Sequence, residues 1–279
     1  MKIALGIIAL LIGFAVAAAL SGPASWRKST AAATAQLSPR APQPSMFDAA
    51  SLDVLPPPVA RYLRMAITDG HPIVRAAIAT QEADFFINGS WRPLTATQHF
   101  SISPPGFVWD ARIEMAPLMP VLVRDAYIDR RAQMRASLYG LYSLANQVDQ
   151  PQLNAGALQR FLGESIWFPT ALLPSSTVAW SARDDRSATV TLTDGGQSVS
   201  LLFVFADSGM PVSISGDRYK EDNGSYSIQP WQITCGENTI KDGMTIPLRC
   251  EVAWTVNGMR QAYWRGRILS IAYQYEFME

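Results

Sequence analysis

Alternating apolar and polar residues occupy most of the chain beyond residue 73 and predict β-strands. In residues 94–102, four of the five even-numbered positions are apolar and the positions between them are polar. Asn-Gly, Asp-Gly and Gly-Gly pairs separate many of these runs and favour tight hairpins. Because strands do not alternate regularly with helices, the pattern predicts a mainly β fold, in which a long antiparallel meander curves into an open half-barrel.

One stretch in the middle of the chain interrupts this pattern and predicts an α-helix. Between Pro151 and Gly163, apolar residues recur at steps of three and four, which is the spacing of one helix face. Pro151 suits the first turn, where a missing N–H group costs nothing. Gly163 is expected to end the helix, and Pro169 and Pro174 to keep it from resuming. We expect this helix, near residues 151–163, to close the half-barrel.

The N-terminal segment differs in character from the rest. An unbroken apolar run extends from Ile3 to Leu20 and follows only Met1 and Lys2. The run is nearly long enough to span the hydrocarbon core of a bilayer, and its alanines also suit the cleavage of a secretory signal. Residues 1–22 are therefore predicted to be either a signal peptide or a transmembrane anchor. The rest of the chain is expected to be exported, either to the periplasm or to the membrane surface of the cell envelope.

Composition divides the remaining chain in two. Residues 23–54 are rich in Ala, Ser and Pro and are predicted to be a disordered tether. Residues 55–279 are expected to form a single antiparallel β domain that begins with a short helix. On that helix Val59, Tyr62 and Leu63 lie on one side.

Charge and motif content argue against several classes of function. Acidic and basic residues balance at 23 each, so that no nucleic-acid partner is expected. His71 and His99 are the only histidines and no close cysteine pair occurs, which argues against a zinc site. No phosphate-binding glycine loop is present, and no cofactor is expected. The charged fraction is only 16%, which leaves apolar surface for a ligand or partner.

Cys235 and Cys250 are the only cysteines, and the residues between them predict a hairpin. If Asp242 and Gly243 form its two-residue turn, the two cysteines lie directly opposite each other. In an oxidising compartment this position suits a disulfide. Two buried free thiols are the alternative.

His99, Asp110 and Glu164 are the candidates for catalysis. The shortest connection that keeps the apolar faces of two strands together sets His99 opposite Asp110, which would be a minimal acid–base pair. The alternative is an ordinary polar row between strands. Glu164 lies beside apolar rings, which can raise its pKa. The alternative there is an ion pair with Arg160, one turn earlier.

Aromatic and leucine side chains on and near the central helix predict the lining of a binding cavity. A curved sheet with a helix across its mouth often encloses apolar space. The expected lining residues are Trp109, Phe161, Trp167, Leu172 and Leu173. The alternative is that these side chains fill an ordinary core.

Two motifs stand out for their combination of residue types. They are Pro104-Pro105-Gly106-Phe107 with Trp109, and Arg160-Phe161-Leu162 with Glu164, Trp167 and Pro169-Thr170-Ala171-Leu172-Leu173-Pro174. Together they resemble an uncharacterised family of bacterial exported or membrane-anchored proteins, over most of the chain after residue 50. The resemblance implies no activity and no catalytic residue. The strand-rich layout is also similar, as architecture, to the half-barrel of periplasmic lipoprotein carriers, which hold acyl chains in a concave apolar groove.

Three hypotheses of function follow. The leading one is non-catalytic binding of a lipid or another apolar molecule in the bacterial cell envelope. The second is an envelope hydrolase or isomerase that uses His99 with Asp110, or Glu164, and it requires these residues to face a concave pocket. The third is a scaffold that binds another envelope protein through an exposed sheet edge.

Overall fold

A computed structural model describes residues 21–37 and 46–275. Residues 1–20, which make up most of the predicted signal peptide or transmembrane anchor, lie outside these ranges. Within the described ranges, no helix is both long enough and apolar enough to cross a membrane.

Antiparallel strands form one continuous sheet. In chain order the strands are β1 (Ala76–Ile87), β2 (Ser90–Ser101), β3 (Gly106–Ala116), β4 (Met119–Ile128), β5 (Arg131–Leu138), β6 (Tyr142–Val148), β7 (Val178–Asp184), β8 (Ser187–Asp194), β9 (Gln197–Phe205), β10 (Pro211–Asp222), β11 (Ser225–Lys241), β12 (Met244–Val256) and β13 (Met259–Gln274). Their order in the sheet is β6-β5-β4-β3-β2-β1-β13-β12-β11-β10-β9-β8-β7. The end strands β6 and β7 do not pair with each other, so the sheet is open. The predicted mainly β meander is confirmed.

Tight turns join the strands where the sequence predicted hairpins. Both residues of these turns have positive φ angles, between 47° and 89°, as the favoured hairpin turns require. The turns are Asn88-Gly89, Gly195-Gly196, Asn223-Gly224, Asp242-Gly243 and Asn257-Gly258. Residues that tolerate the left-handed conformation therefore set the register of the strand pairs that they join.

The pairing of β2 with β3 differs from the prediction by two residues. His99 lies opposite Val108 rather than Asp110, and Asp110 lies opposite Thr97. The connecting turn is centred between Ser103 and Pro104, one residue earlier than the Pro-Pro pair suggested. The apolar faces still coincide, because a shift of two residues keeps every side chain on its side of the sheet.

Helices cover both faces of the sheet. Among the described residues the α-helices are α1 (residues 21–34), α2 (Pro57–Ala66) and α3 (Pro151–Glu164). Short 3₁₀-helices occupy Ala49–Val54, Ser165–Trp167 and Pro169–Leu172. As predicted, α2 buries Val59, Tyr62 and Leu63, and it packs against β8 and β12.

The connection between the two edge strands crosses the concave face. It consists of α3 and the two 3₁₀-helices that follow it, between β6 and β7. α3 contacts β3, β4 and β5 on one side and β9 and β10 on the other. Its side chains Leu158, Phe161 and Leu162 are buried. The predicted closing helix is confirmed, and the two halves of the sheet share it as cover for their apolar faces.

Gly163 has a different role from the helix end predicted for it. α3 continues to Glu164, and Gly163 is not among the residues with positive φ. A Cβ atom at position 163 would lie 2.7 Å from the Cδ1 atom of Ile233. A side chain at this position would therefore have to displace the end of Ile233, because α3 approaches β11 closely.

α1 occupies a segment that the sequence predicted to be a disordered tether, residues 23–54. Trp26 is buried against the outer face of the sheet, and its Nε1 atom donates a hydrogen bond to Oδ1 of Asp110 (2.7 Å). Nη1 of Arg124 donates to Oγ of Ser29 (2.9 Å) and to Oγ1 of Thr30 (3.0 Å). Alanine is also a strong helix former, so an alanine-rich composition fits a helix once one large side chain anchors it.

We expect Trp26→Ala to lower the free energy of unfolding by about 3 kcal/mol, as is typical when a buried Trp is truncated. The substitution also removes a hydrogen-bond donor from the half-buried Asp110. Denaturant unfolding of the full chain in detergent micelles measures the change. The neighbouring exposed Arg27→Ala is the control and should leave stability nearly unchanged; equal stabilities of the two variants would contradict the docking of α1.

Candidate functional site

A cavity of about 880 Å³ lies on the concave face, between α3 and both halves of the sheet. Its volume falls in the upper part of the range of about 300–1,000 Å³ that is usual for small-molecule sites. The aromatic side chains of its wall are Phe85, Phe86, Trp91, Trp109, Trp167, Trp231, Trp254, Tyr263 and Trp264. The wall is therefore mainly apolar and built from rings.

The cavity opens toward one edge of the sheet. Phe86 and Trp91 flank the β1–β2 turn, Gln261 follows the β12–β13 turn, and Lys220 and Glu221 precede the β10–β11 turn. In an antiparallel meander these three turns lie at the same edge. The mouth of the cavity is therefore lined by hairpin ends, whereas α3 and the 3₁₀-helix Ser165–Trp167 lie deeper.

A chain of hydrogen bonds between side chains runs along the wall of the cavity. Nε1 of Trp109 donates to Oε1 of Gln81 (3.0 Å), and Nε2 of Gln81 donates to Oε1 of Gln98 (3.0 Å). Nε2 of Gln98 then donates to Oε2 of Glu164 (2.8 Å). Buried amides are costly without partners, and each amide here both donates and accepts.

Arg160 completes this network by pairing with two carboxylates. Its Nε atom donates to Oε1 of Glu164 (2.8 Å) and its Nη1 atom to Oδ2 of Asp125 (2.6 Å). The guanidinium also lies 5.0 Å from the ring centroids of both Phe107 and Trp109. The predicted ion pair of Glu164 with Arg160 is present, and two carboxylates share one cation.

Burial raises the pKa of Glu164 above its ordinary value, against the opposing effects of Arg160 and Gln98. Asp125 adds to the rise, because a second carboxylate nearby disfavours the ionised form. Both oxygens of Glu164 already accept hydrogen bonds. The carboxyl group is therefore held in place as part of the wall.

The five residues that the sequence predicted to line a cavity lie in three different places. Trp109 and Trp167 line the cavity on the concave face. Phe161 and Leu173 line a different groove of about 810 Å³, beside the β2–β3 turn. Leu172 is fully buried in the core and borders neither space. The structure therefore does not bring these five side chains to one site.

His99 and Asp110 lie on the outer face of the sheet, away from the cavity. Burial lowers the pKa of His99, with Asp110 opposing the shift, and burial raises the pKa of Asp110, with Trp26 and Arg124 opposing it. Asp110 accepts the hydrogen bond from Trp26. Asp110 is thus part of the surface on which α1 docks, rather than of the cavity.

Cys235 and Cys250 lie directly opposite each other, as predicted. Both are free thiols in this structure, with their Sγ atoms 3.4 Å apart. The contact with Cys235 and burial raise the pKa of the Cys250 thiol well above its usual value. Because the two cysteines are adjacent, a disulfide between them in an oxidising compartment remains a prediction.

Several residues of the site were not identified from the sequence. Gln81, Gln98 and Asp125 lie on predicted strands, but the sequence did not indicate that they meet at one site. Gln98 is the one polar residue at the even-numbered positions of 94–102. A polar residue in that phase of a strand faces the core, so it must have a buried partner.

Fold and cavity together define an open β half-barrel with an apolar space under one helix. The chain belongs to a protein family: a profile described as "Family of unknown function (DUF6920)" matches residues 53–273. The family resemblance inferred from the two motifs is thereby confirmed. A search of curated proteins finds no match.

Solved structures with a similar layout are known from several bacteria. A LolA superfamily protein from Nitrosomonas europaea is 8% identical and has a TM-score of 0.38, covering 77% of this chain and 90% of that chain. A domain assigned as an outer membrane lipoprotein-sorting protein from Vibrio parahaemolyticus is 9% identical, with a TM-score of 0.37 and coverages of 74% and 88%. A DUF1329 family protein from Desulfovibrio piger is 7% identical, with a TM-score of 0.39 and coverages of 74% and 88%. These matches agree with the architectural likeness noted from the sequence, and scores this low carry no argument about function.

The raised pKa of Glu164 makes a testable contribution to the pH dependence of stability. In the pH range between the ordinary pKa of 4.5, which applies to the unfolded state, and the higher folded pKa, the folded state holds more protons than the unfolded state. Stability from this group is therefore fully present at low pH and falls as pH rises through the folded pKa. Glu164→Gln removes this contribution.

We expect the stability difference, wild type minus Glu164→Gln, to decrease as pH rises from about 4.5 toward neutrality. Denaturant unfolding of both proteins across that range measures the difference. Asp110, whose pKa is also raised, is present in both proteins, so its contribution to the pH dependence cancels in the difference. Parallel pH profiles would show that burial does not perturb Glu164.

Proposed function

We propose that this protein binds a lipid or another apolar molecule, without catalysis, in the bacterial cell envelope. The observation that carries the proposal is the cavity of about 880 Å³ whose wall is built mainly from aromatic rings. The envelope location is supported by the apolar run from Ile3 to Leu20 at the start of the sequence.

The wall indicates the kind of ligand. Its rings favour an apolar body, and burying apolar ligand surface would contribute about 25 cal/mol per Å². Among the described residues of the deep wall, the polar groups of Gln81, Arg160 and Glu164 already satisfy one another, and Nε1 of Trp167 is a single buried donor without a partner. A ligand without a buried charge of its own therefore fits this space best.

Arg218 strengthens one side of the wall. Its guanidinium lies 4.8 Å from the ring centroid of Trp231 and 5.5 Å from that of Trp254. Its Nε and Nη2 atoms donate to the carbonyl of Gly156 in α3 (3.1 and 2.9 Å). Held between the helix and two rings, this cation supports a preformed wall, and preformed walls reduce the entropy lost on binding.

Catalysis by the predicted residues gains no support from their positions. His99 and Asp110 lie on the outer face, where Asp110 bonds to α1, and Glu164 is held by Arg160 and Gln98. A scaffold that binds through a sheet edge would have an unpaired edge strand and a filled core. The sheet has edge strands, but the cavity does not fit a filled core. Binding of an apolar ligand is therefore the function that we put forward.

Native mass spectrometry of the full chain, purified from membranes in mild detergent, tests the proposal most directly. Organic extraction of the same sample identifies what co-purifies. A lipid or other apolar molecule bound at one defined stoichiometry would support the proposal. A ligand-free mass that does not change when lipids are added would refute it.

A cavity-filling substitution locates the ligand. Val252 lines the cavity, and we expect Val252→Trp to weaken binding of the fluorescent fatty acid cis-parinaric acid about tenfold, which corresponds to about 1.4 kcal/mol. The reason is that the added ring occupies the space of the ligand. Fluorescence titration measures the affinity.

The matched control for this titration is Val212→Trp, the same substitution at an exposed position of β10 outside the cavity. It should bind the fatty acid like the wild type. Equal affinities of the two variants would place the ligand elsewhere. Unfolding curves of both variants establish that each one is folded.

A further inference from the structure

Two neighbouring hairpin turns expose apolar side chains at one edge of the sheet. The β3–β4 turn presents Leu118, which is 85% exposed, and the β5–β6 turn presents Leu141 and Tyr142, which are 52% and 68% exposed. We refer to residues 117–119 and 139–142 as the apolar tips. Large apolar side chains at the ends of turns contribute nothing to the core.

The two turns lie side by side. The backbone N–H of Tyr139 donates a hydrogen bond to the carbonyl of Pro120 (3.2 Å), which connects one turn to the strand that leaves the other. The exposed side chains of the apolar tips therefore form one patch at the sheet edge rather than isolated contacts with solvent.

Two positions of the apolar tips carry residues that turn formation does not select. Leu118 and Tyr139 have φ angles of +60° and +56°, a conformation that favours glycine and asparagine. Three other turns at the same edge do use Asn-Gly pairs: residues 88–89, 223–224 and 257–258. Local stability thus does not explain an exposed leucine at position 118.

The N-terminal helix begins against the same patch. A Cβ atom on Gly22 would lie 2.3 Å from the carbonyl oxygen of Tyr139 and 2.6 Å from Cγ of Leu141. α1 then crosses the outer face of the sheet, and Leu37 reaches Gly106 at the opposite edge. The apolar run from Ile3 to Leu20 therefore joins the domain directly at the apolar tips.

We propose that the apolar tips dock on the surface of a lipid bilayer, next to the point where the chain leaves it. Leucine side chains at this edge would enter the boundary between headgroups and acyl chains, and Tyr142 suits the headgroup level, where tyrosine is enriched. A bilayer is the occupant we propose, because Gly22, which lies at this patch, follows shortly after an apolar run nearly long enough to span a bilayer. The inference does not depend on what the cavity binds.

The mouth of the cavity lies at the same edge of the sheet as the apolar tips. The β1–β2, β12–β13 and β10–β11 turns, which surround the mouth, and the two apolar turns all join strands at that edge. The β1–β2 turn is the neighbour of the β3–β4 turn along that edge, so that the apolar tips lie next to one side of the mouth.

A fluorescent probe at a single position tests this docking in the full chain. Leu118→Cys and Ile240→Cys are each labelled with an NBD group and reconstituted into vesicles of phosphatidylethanolamine and phosphatidylglycerol. Ile240 is the matched control, because it is 74% exposed beside the turn at the opposite edge. Labelling of the unsubstituted protein measures the background from the native cysteines.

We expect the probe at position 118 to shift its emission to the blue and to lose fluorescence when doxyl-labelled lipids are included. The probe at position 240 should show neither change. Equal behaviour of the two probes would overturn the proposal. A blue shift at position 118 without quenching by doxyl lipids would overturn it as well, because the patch would then contact protein, such as a second copy of this chain.

Discussion

The structure depends on one constraint: a single connection joins the two edge strands of the sheet and must cross its concave face. Because β6 and β7 lie at opposite ends of the sheet, the residues between them have to span the whole inner surface. α3 does so while contacting both halves, and the sheet curves around it. At Gly163 the helix approaches β11 so closely that an added side chain would have to displace the end of Ile233. The curvature follows from this contact, since the sheet's apolar face has to meet one helix.

A helix that crosses an apolar face also buries charged residues. In the cavity wall these charges are paired with one another. Arg160 is paired with Glu164 and Asp125, and the free oxygen of Glu164 accepts from Gln98. A buried charge of this kind is tolerable only when its hydrogen bonds are complete. The result is a polar strip that is saturated by its own members. This strip forms part of the cavity wall. Because its polar groups bond to one another, the aromatic rings are the main determinant of which ligand the cavity binds.

The sequence predicted those features that local chemistry decides, and it did not predict those that distant contacts decide. Asn-Gly and Asp-Gly turns specified hairpins, so the pairing of Cys235 with Cys250 could be counted from one turn. The β2–β3 connection lacks such a pair, and the position of His99 was wrong by two residues. The helix at residues 21–34 depends on Trp26 meeting Asp110, a contact that composition does not reveal. The lining from β10 to β13 was missed because curvature alone brings those strands to the cavity.

The outer and inner faces of the sheet are organised toward the same edge. On the outer face, α1 starts at the apolar tips, and Trp26 and Arg124 fix it across β3 and β4. On the inner face, α3 lies beneath the cavity, whose mouth is lined by hairpin ends. α1, which follows the apolar run at the start of the sequence, is therefore fixed on the outer face, while the cavity lies on the inner face. The exposed leucines of the apolar tips contribute nothing to the core, so contact with another apolar surface accounts for them better than folding does.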